Sequence, residues 1–417
     1  MSQIRPFKGL RPLPELAAQI ASLPYDVMDT EEARAILKDN PLSFLSVTKS
    51  EATLPPGIDS HSREVYEKAK ENLKKYISSG QMKIDEKPCY YLYRQEMNGH
   101  VQVGLVACAS VQEYRDNIIK KHELTRHDKE QDRVDHITVT EAQTGSVFLT
   151  CRNKKEIDDF TAEVLLKQRP EYDFVAEDGI RHTLYVISDD DAIAEVTRLF
   201  AEVPVLYIAD GHHRSAAAMR VADAMKERQG HTGEEEYNYF LAVIFPDNMM
   251  CILDYNRVVK DLFGMSEAEF VEKVQEKFIV EENAGEHKKP AKLHQFGMYL
   301  AGKWYTLTAK PEIYDDNDPV GCLDVTVLQE NVLAPLLGIK DPRTDERISF
   351  IGGIRGLGEL EKKVNSGEYK VAFAMYPTSM DQLMEIADSG MIMPPKSTWF
   401  EPKLRDAMVV HLIGDDI

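Results

Sequence analysis

Two short turn signals constrain the fold most strongly, because each joins two strand-like runs into an antiparallel hairpin. Asn98-Gly99 separates "CYYLYRQEM" from "HVQVGLVACASV", and Asp178-Gly179 separates "YDFVAE" from "IRHTLYVIS". Asn-Gly and Asp-Gly favour the primed turns that match the twist of paired strands. Amphipathic helical stretches, such as residues 62–80, alternate with these hairpins. The pattern predicts an α+β protein with mixed β-sheets and packed helices.

Charge and hydropathy exclude several classes of partner. The 50 Lys and Arg residues against 70 Asp and Glu give a net charge of −20, which argues against a general nucleic-acid or acidic-membrane surface. No apolar run approaches the ~18 residues that a membrane span needs, and the N-terminal stretch lacks the apolar segment of a signal peptide. The five cysteines are far apart and form no CxxC pair. Free, mostly buried thiols and a cytoplasmic location are therefore expected.

The most informative stretch is "LYIADGHHRSA", residues 206–216, where an apolar strand-like run meets a small-residue helix. The N-terminus of a helix attracts phosphate through its unpaired amide groups. Gly211 allows close approach of a ligand to the backbone, and Arg214 offers a fork of donors matched to phosphate. Asp210 suits a metal ion or the orientation of a histidine. The plain alternative is an Asp-capped helix with surface histidines; a zinc site is weaker, since adjacent helical residues do not face one ligand.

Two polar stretches nearer the N-terminus are further candidates. "SLPYDVMD", residues 22–29, holds Asp26 in a short non-helical segment, where a carboxylate can act as a general base. "KHELTRHDKEQDRVDH", residues 121–136, contains His122, Arg126 and several carboxylates that could line a polar pocket. A helix-entry loop and a solvated helix face are the respective alternatives.

A fourth candidate lies near the C-terminus in "MPPKSTWFEPK", residues 393–403. Lysine, two hydroxyls and exposed backbone amides suit an anion, although no Walker A pattern precedes Lys396. A rigid loop with incidental polar residues is the alternative. "FIGGIRGLG", residues 350–358, does not satisfy GxGxxG and is discounted as a dinucleotide motif.

With these stretches in view, the sequence resembles the free-serine kinase family and its longer bacterial relatives, within the ParB/sulfiredoxin-like superfamily. The resemblance rests on "YIADGHHRSAA", supported by "PYDV" and by "SGMIMPPKSTWFEPK". The longer relatives also share "PFKGLRP" and "NPLSFL", so with them the similarity spans nearly the whole chain. The resemblance implies a ParB/sulfiredoxin-like nucleotide-binding core with a large insertion, residues 50–205, that the short kinases lack.

The same resemblance implies phosphoryl transfer from ATP or ADP to the hydroxyl of free L-serine, with Mg²⁺. The residues implied for nucleotide phosphates are Asp210, Gly211, His212, His213 and Arg214, with Asp210 also the metal ligand. Those implied for the acceptor are Lys396, Ser397 and Thr398, joined by Arg126 and His122. Asp26 is the nearest match to the kinases' catalytic glutamate, with His213 as a second catalytic residue. A histidine, His212, stands where sulfiredoxins carry their catalytic cysteine, so sulfiredoxin chemistry is not expected.

These motifs suggest a division of the chain and a set of partners. We expect residues 1–255 to carry PYDV, the insertion and the DGHHR core, and residues 256–417 to return the PPKST loop to the site. A nucleotide and a small-molecule substrate are the expected partners, with a homodimer as a candidate assembly and no nucleic acid or membrane. Two other functions stay open: a ParB-like module that hydrolyses or senses a nucleotide without a serine acceptor, and a hydrolase of a phosphorylated metabolite.

Overall fold

The computed structural model describes residues 2–227, 230–283 and 289–414. The chain forms two compact units, one of Met1–Met250 with Pro402–Ile417 and one of Cys251–Glu401. That the chain has the two domains 1–255 and 256–417 stays a prediction.

The first unit contains most of the helices and strands. Its strands are β1 (Ile4–Arg5), β2 (Leu10–Pro12), β3 (Met82–Ile84), β4 (Tyr90–Met97), β5 (His100–Ser110), β6 (Ile119–Lys120), β7 (Ala142–Gln143), β8 (Val147–Cys151), β9 (Tyr172–Val175), β10 (Arg181–Ile187), β11 (Leu206–Asp210) and β12 (Tyr239–Pro246). Its helices are α1 (Ala17–Ile20), α2 (Thr30–Asp39), α3 (Leu45–Thr48), α4 (Arg63–Ser78), α5 (Val111–Arg115), α6 (His127–Thr140), α7 (Lys155–Lys167), α8 (Asp190–Ala201) and α9 (His212–Lys226).

The second unit follows in the chain. Its strands are β13 (Cys251–Leu253), β14 (Tyr255–Val259), β15 (Phe278–Asn283), β16 (Gln295–Leu300), β17 (Lys303–Ala309), β18 (Ile348–Gly352), β19 (Val371–Ala374) and β20 (Trp399–Glu401). Its helices are α10 (Glu267–Gln275), α11 (Asp324–Leu328), α12 (Leu357–Asn365) and α13 (Met380–Asp388). A last short strand, β21 (His411–Leu412), belongs to the first unit.

A nine-stranded mixed sheet organises the first unit, in the order β6-β11-β8-β12-β5-β4-β10-β9, with β1 paired to β5. The pairs β6–β11 and β8–β12 are parallel, whereas β8–β11 and the hairpin pairs are antiparallel. Strand β11 therefore lies inside the sheet, and its residues 206–209 are buried. The predicted α+β class with mixed sheets is confirmed, and the ParB/sulfiredoxin-like core stays a prediction.

Both predicted hairpins are present. Asn98 and Gly99 have φ of 52° and 81°, so both central residues of the β4–β5 turn have the positive φ of a type I′ turn. Gly179 has φ of 79° in the β9–β10 connection. Here the turn chemistry alone determined the pairing.

The second unit is built on a six-stranded sheet, in the order β15-β17-β16-β19-β14-β18, in which every pair is antiparallel. The sequence of residues 324–337 predicts one helix, but the structure has α11 followed by a wider π-type turn at Gln329–Leu333. The apolar run 407–413 predicts a strand, of which His411–Leu412 pairs as β21 and Val410 forms an isolated bridge with Leu10. The small-residue run after Gly211 predicts a helix to about Arg228, and that end lies outside the described residues.

The described part of the chain contains no helix with the length and apolar character that crossing a bilayer requires. All five cysteines are free thiols, of which Cys89, Cys108 and Cys151 are buried. Burial raises the pKa of the Cys89 thiol to about 11 and that of Cys151 to about 12, so both are protonated at neutral pH.

Candidate functional site

The sharp corner between β11 and α9 positions the candidate site. The pairing of β11 with β8 shifts register between Ile208 and Asp210, and such an irregularity re-aims the following side chain. Gly211 has φ of +99° and precedes the first helical residue, with no side-chain cap. The predicted corner is therefore confirmed, and the alternative in which Asp210 caps the helix is wrong, since Asp210 is the last residue of the strand.

Asp210 contacts basic side chains from two parts of the first unit. Its Oδ2 accepts a hydrogen bond from Lys403 Nζ at 3.2 Å, and its Oδ1 lies 3.9 Å from Arg214 Nη2. Burial alone would raise the pKa of the carboxyl, but the Lys403 ammonium and the Arg214 guanidinium hold it well below its usual value. Asp210 is thus ionised. Its single carboxylate lies beside two positively charged side chains, Lys403 and Arg214.

Arg214 turns its guanidinium back over the corner. Its side chain is only 12% exposed, and Nη1 donates to the carbonyl of Ser146. A Cβ on Gly145 would lie 3.6 Å from Arg214 Nη1 and 3.1 Å from Asp406 Oδ1, so this glycine makes room for both groups. Burial lowers the pKa of Arg214, but Asp210, Asp26 and Asp406 together raise it above its ordinary value. Arg214 is therefore a largely buried, permanently charged donor, and its contact with Asp210 is at the outer limit of an ion pair.

The PYDV turn is fastened beside this corner. The backbone of Ser22 and that of Asp406 exchange two hydrogen bonds, of 3.2 Å and 2.9 Å. The Arg133 guanidinium lies 3.8 Å from the centre of the Tyr25 ring. Asp26 itself is exposed on the short turn Tyr25–Val27, and its charge raises the pKa values of His213 and Arg214 against the effect of burial. Asp26 therefore lies within electrostatic reach of the corner, and its role as a base stays a prediction.

A small cavity of about 30 Å³ opens between these groups. The polar residues that line it are Tyr25, Arg133, His136, Gln143, Thr144, Arg214 and Asp406. This volume holds about one or two water molecules. The cavity is therefore too small to contain a nucleotide or an amino acid.

Asp406 is the most strongly perturbed acid in this cavity. The residue is 3% exposed. Burial raises the pKa of its carboxyl to about 7; Arg214 opposes that rise and Asp26 adds to it. Near neutral pH, Asp406 thus exists both as a proton donor and as a carboxylate.

We expect Asp406 to make the free energy of unfolding decrease as pH rises. In the unfolded chain an aspartate has a pKa of about 4, so between about pH 4 and 7 the folded state binds the extra proton. The stabilisation is complete below about pH 4 and is lost as pH rises through about 7. About three pKa units correspond to on the order of 4 kcal/mol at most. Urea unfolding at pH 5 and pH 8 should show a smaller pH dependence for Asp406→Asn than for the parent, and no change for the exposed control Asp39→Asn. Equal slopes for parent and Asp406→Asn would contradict the assignment.

His213 and Arg126 meet through the backbone. His213 Nε2 accepts a hydrogen bond of 3.0 Å from the amide of Arg126, so the other ring nitrogen carries the proton. The Arg126 side chain is 65% exposed and pairs with Asp128 at 2.8 Å. Burial lowers the pKa of His213, with Asp26 acting against that change. His213 is therefore a neutral, half-buried side chain beside the predicted base.

His122 and His212 lie deeper. Their rings contact edge to face, with centres 4.5 Å apart, and they are 1% and 4% exposed. Burial lowers the pKa of His122 to about 4, and burial together with His122 lowers the pKa of His212 well below its ordinary value. Both imidazoles are neutral, so neither supplies positive charge to a phosphate.

The predicted acceptor loop is a closely bonded turn of the second unit. Lys396 is exposed and has φ of +60°. Ser397 Oγ donates to the carbonyl of Pro394 at 2.6 Å, and its own carbonyl accepts from Thr378 Oγ1 at 2.9 Å. Because the Ser397 hydroxyl is already used inside the turn, the lysine ammonium and the Thr398 side chain are its remaining recognition groups.

Arg257 supports that turn from below. This residue is 3% exposed, and its Nη2 donates to the carbonyl of Lys396 at 2.9 Å. Its other recorded partners are the carbonyl of Tyr255 and the ring of Phe350, and burial lowers its pKa to about 10. A buried guanidinium beneath Lys396 makes this loop electropositive. Sequence reasoning missed Arg257, because nothing in "LDYNRVVK" distinguishes it from a strand residue with its side chain in solvent.

Sequence reasoning also missed Lys403 and Asp406. Lys403 is the last residue of the "PPKSTWFEPK" motif. Its place in that motif is a sequence signal that could have identified it as the partner of Asp210. Asp406 follows three residues later without any pattern, and only the chain's return to Ser22 places it in the site.

The corner offers Mg²⁺ a limited ligand set. Among the described residues, Asp210 does not belong to a group of three ligand side chains, and Lys403 and Arg214 already neutralise it. Mg²⁺ is commonly held by one or two carboxylates together with substrate phosphates. Asp210 therefore fits Mg²⁺ only as a single protein ligand to an ion delivered with a nucleotide, and magnesium stays a prediction.

We expect Gly211→Ala to disturb the corner in two ways. An alanine at φ of +99° is strained, typically by ~1–3 kcal/mol, and its Cβ would lie 3.1 Å from Arg214 Nε. Gly233 has the same φ with nothing within 4 Å, so Gly233→Ala measures the strain alone. Chemical unfolding of both variants should show the larger loss of stability for Gly211→Ala. Equal losses would show that Arg214 does not pack on this backbone.

Comparison with known proteins matches the chain to one family model. The model of the family described as "Protein of unknown function (DUF1015)" matches residues 4–326. No curated protein matches the chain significantly.

Three solved structures that match the chain have low sequence identity and low TM-scores. A free serine kinase in complex with AMP is 13% identical, with a TM-score of 0.35, over 73% of this chain and 92% of that chain. A conserved hypothetical protein from Pyrococcus furiosus is 14% identical, with a TM-score of 0.34, over 73% and 93%. SbnI with a C-terminal truncation, from Staphylococcus aureus, is 11% identical, with a TM-score of 0.37, over 72% and 85%. At these values the likenesses assign no activity to this chain.

Proposed function

This chain belongs to the DUF1015 family, and we propose that it is a phosphotransferase acting on a small molecule. It moves a phosphoryl group from ATP or ADP to the hydroxyl of free L-serine or a similar metabolite. The observation that carries the proposal is the β11–α9 corner, where Arg214 and Lys403 surround Asp210 and Asp26 lies within electrostatic reach of Arg214. Phosphoryl transfer needs such charge neutralisation, together with positioning and a base.

The nucleotide phosphates bind at the start of α9. The first amides of a helix have no partners within the helix and point towards its N-terminal end, and the helix dipole favours an anion there. Gly211 has no side chain at this corner, and the Arg214 guanidinium that lies over its backbone is a bidentate donor. Phosphate oxygens would compete with Asp210 for Arg214, whose 3.9 Å contact with that carboxylate is long. A phosphate can therefore bind without breaking a short ion pair.

Asp26 is the proposed base. As the acceptor oxygen bonds to the terminal phosphorus, the bond from that phosphorus to the bridging oxygen of the nucleotide breaks. The hydroxyl proton passes to the Asp26 carboxylate and from there to solvent. ATP leaves as ADP, or ADP as AMP. His213, neutral and near Asp26, orients the acceptor or relays its proton.

Lys396 and Thr398 bind the acceptor in this proposal, with Ser397 holding the loop in shape. Arg257 beneath the loop adds positive charge, which suits the carboxylate of an amino acid or the phosphate of its product. Arg126, on the surface, is a further acceptor contact. His122 is 1% exposed, so we do not include it among the residues that contact the acceptor.

A nucleotide-binding module without an acceptor is the second candidate. One observation favours it: the residues proposed for the phosphates all belong to the first unit, whereas Lys396, Ser397 and Thr398 belong to the second. Such a module needs only the corner and a water molecule as nucleophile.

A screen of nucleotides against amino acids distinguishes the two candidates. We expect ADP formation from ATP, or AMP formation from ADP, only when a hydroxyl amino acid is present. Equal turnover with and without an acceptor would support the module and contradict the kinase.

A further inference from the structure

A separate group of ligand-type side chains lies beside the corner, formed by His122, Glu123 and His212. One ligand atom of each residue lies within 4.8 Å of the others. Glu123 Oε2 is 3.8 Å from His212 Nδ1, and the two imidazole rings are 4.5 Å apart. His212 begins α9, whereas the other two residues lie in the segment between β6 and α6, so the tertiary fold brings the three together.

His122 has an unusual environment for a polar side chain. It is 1% exposed, and within the described residues neither ring nitrogen makes a hydrogen bond of normal geometry, although the backbone of Ile208 is close enough to act on its pKa. Buried polar groups almost always find a partner, and an exception calls for an explanation such as a missing ion. The neutral ring has a lone pair available for coordination, as metal binding requires.

His212 can take part with a small adjustment. Its Nε2 accepts a long contact of 3.5 Å from the backbone amide of His122, which leaves Nδ1 on the side of Glu123. Coordination through Nδ1 moves the proton to Nε2, so this long contact must open. A hydrogen bond of 3.5 Å is at the outer limit of the range and is weak, so the ring can give it up.

The chemistry of the three donors selects the ion. Two imidazoles and one carboxylate are typical of Zn²⁺ and its first-row neighbours, whereas Mg²⁺ prefers an all-oxygen set. Glu123 has a side chain 43% exposed, so the group is accessible from solvent. Three protein ligands leave a coordination position open.

Another group in the first unit shows how a satisfied cluster differs. Cys108, Glu236 and His411 also place ligand atoms within 4.8 Å of one another. Both nitrogens of His411 are already bonded, Nδ1 to Gln143 at 3.0 Å and Nε2 to Glu236 at 2.8 Å. That group has no unpartnered imidazole, and it serves as the internal comparison.

We propose that His122, Glu123 and His212 bind one divalent transition-metal ion of the Zn²⁺ and Co²⁺ class, distinct from the Mg²⁺ predicted at Asp210. This inference goes beyond the proposed function, because binding of the ion requires neither nucleotide nor acceptor.

The test is metal binding by the full chain after removal of metals with a chelator. Calorimetric titration with Zn²⁺, and the visible spectrum after addition of Co²⁺, are measured without nucleotide. We expect one Zn²⁺ per chain, loss of that binding in His122→Ala, and at least tenfold weaker binding in Glu123→Gln. Asp128→Asn, an exposed carboxylate a few residues along the chain, should bind Zn²⁺ like the parent.

Three results would overturn the proposal: no stoichiometric binding by the parent, binding of parental strength in both His122→Ala and Glu123→Gln, or loss of binding in Cys108→Ser instead. If His122→Ala fails to fold, Glu123→Gln decides alone, because its side chain is partly in solvent. Failure of the kinase screen leaves these measurements unaffected, since no phosphoryl donor is present.

Discussion

Asp26→Asn is expected to lower acceptor-dependent turnover by ~10²–10⁴-fold, the usual contribution of a general base. Asparagine keeps the size of the aspartate but cannot accept the hydroxyl proton. Because Asp26 is exposed on its turn, the substitution should leave the fold and nucleotide affinity nearly intact. Steady-state rates with one acceptor, and nucleotide affinity by calorimetry, measure the two effects separately.

Two glutamates of α2 provide the controls. Glu32 forms a capping box with Asp29, through bonds of 2.8 Å and 2.9 Å, and Glu31 lies 3.5 Å from Arg34. Both have structural roles at the start of the helix, where a carboxylate also favours the dipole. We expect Glu31→Gln and Glu32→Gln to keep near-normal turnover. If turnover is lost in either glutamine variant while Asp26→Asn stays active, Asp26 is not the base.

Arg214→Ala is expected to weaken binding of ATP or ADP by roughly tenfold to a hundredfold, since a charged bidentate contact contributes ~1.5–3 kcal/mol. Serine affinity should change less, because in the proposed function the acceptor meets Lys396 and Thr398. Calorimetric titration of each ligand gives the comparison.

Arg220 is the matched control for this substitution. It lies six residues further along the same helix and is paired with Glu130 at 3.0 Å. Arg220→Ala should leave nucleotide affinity unchanged. If a folded Arg214→Ala variant bound nucleotide as tightly as the parent, Arg214 would not belong to the site.

Much of the local fold could be predicted, because its signals are local. Asn98-Gly99 specifies a turn through two positive φ angles, and Gly211 marks the corner for the same reason. The apolar run 206–209 identifies a buried strand before its partners are known. The π-type turn at Gln329–Leu333 could not be predicted, since no residue type in this stretch marks the change from α-helical hydrogen bonding.

The site itself depends on contacts distant in sequence. Lys403 reaches Asp210 across 193 residues, and Asp406 enters through its pairing with Ser22. The hydrophobic periodicity of the sequence gives no information about such long-range contacts. The contact of His122 with His212 is similar, because the two residues are 90 positions apart and the loop before α6 brings the second imidazole to the start of α9.

The most direct test of the central claim follows the phosphoryl group itself. The protein is incubated with L-serine, Mg²⁺ and either ATP or ADP, and products are observed by ³¹P nuclear magnetic resonance. We predict a phosphomonoester signal of phosphoserine that grows in proportion to the ADP or AMP formed, and that Asp26→Asn nearly abolishes. Release of inorganic phosphate alone, at the same rate with and without serine, would contradict the account.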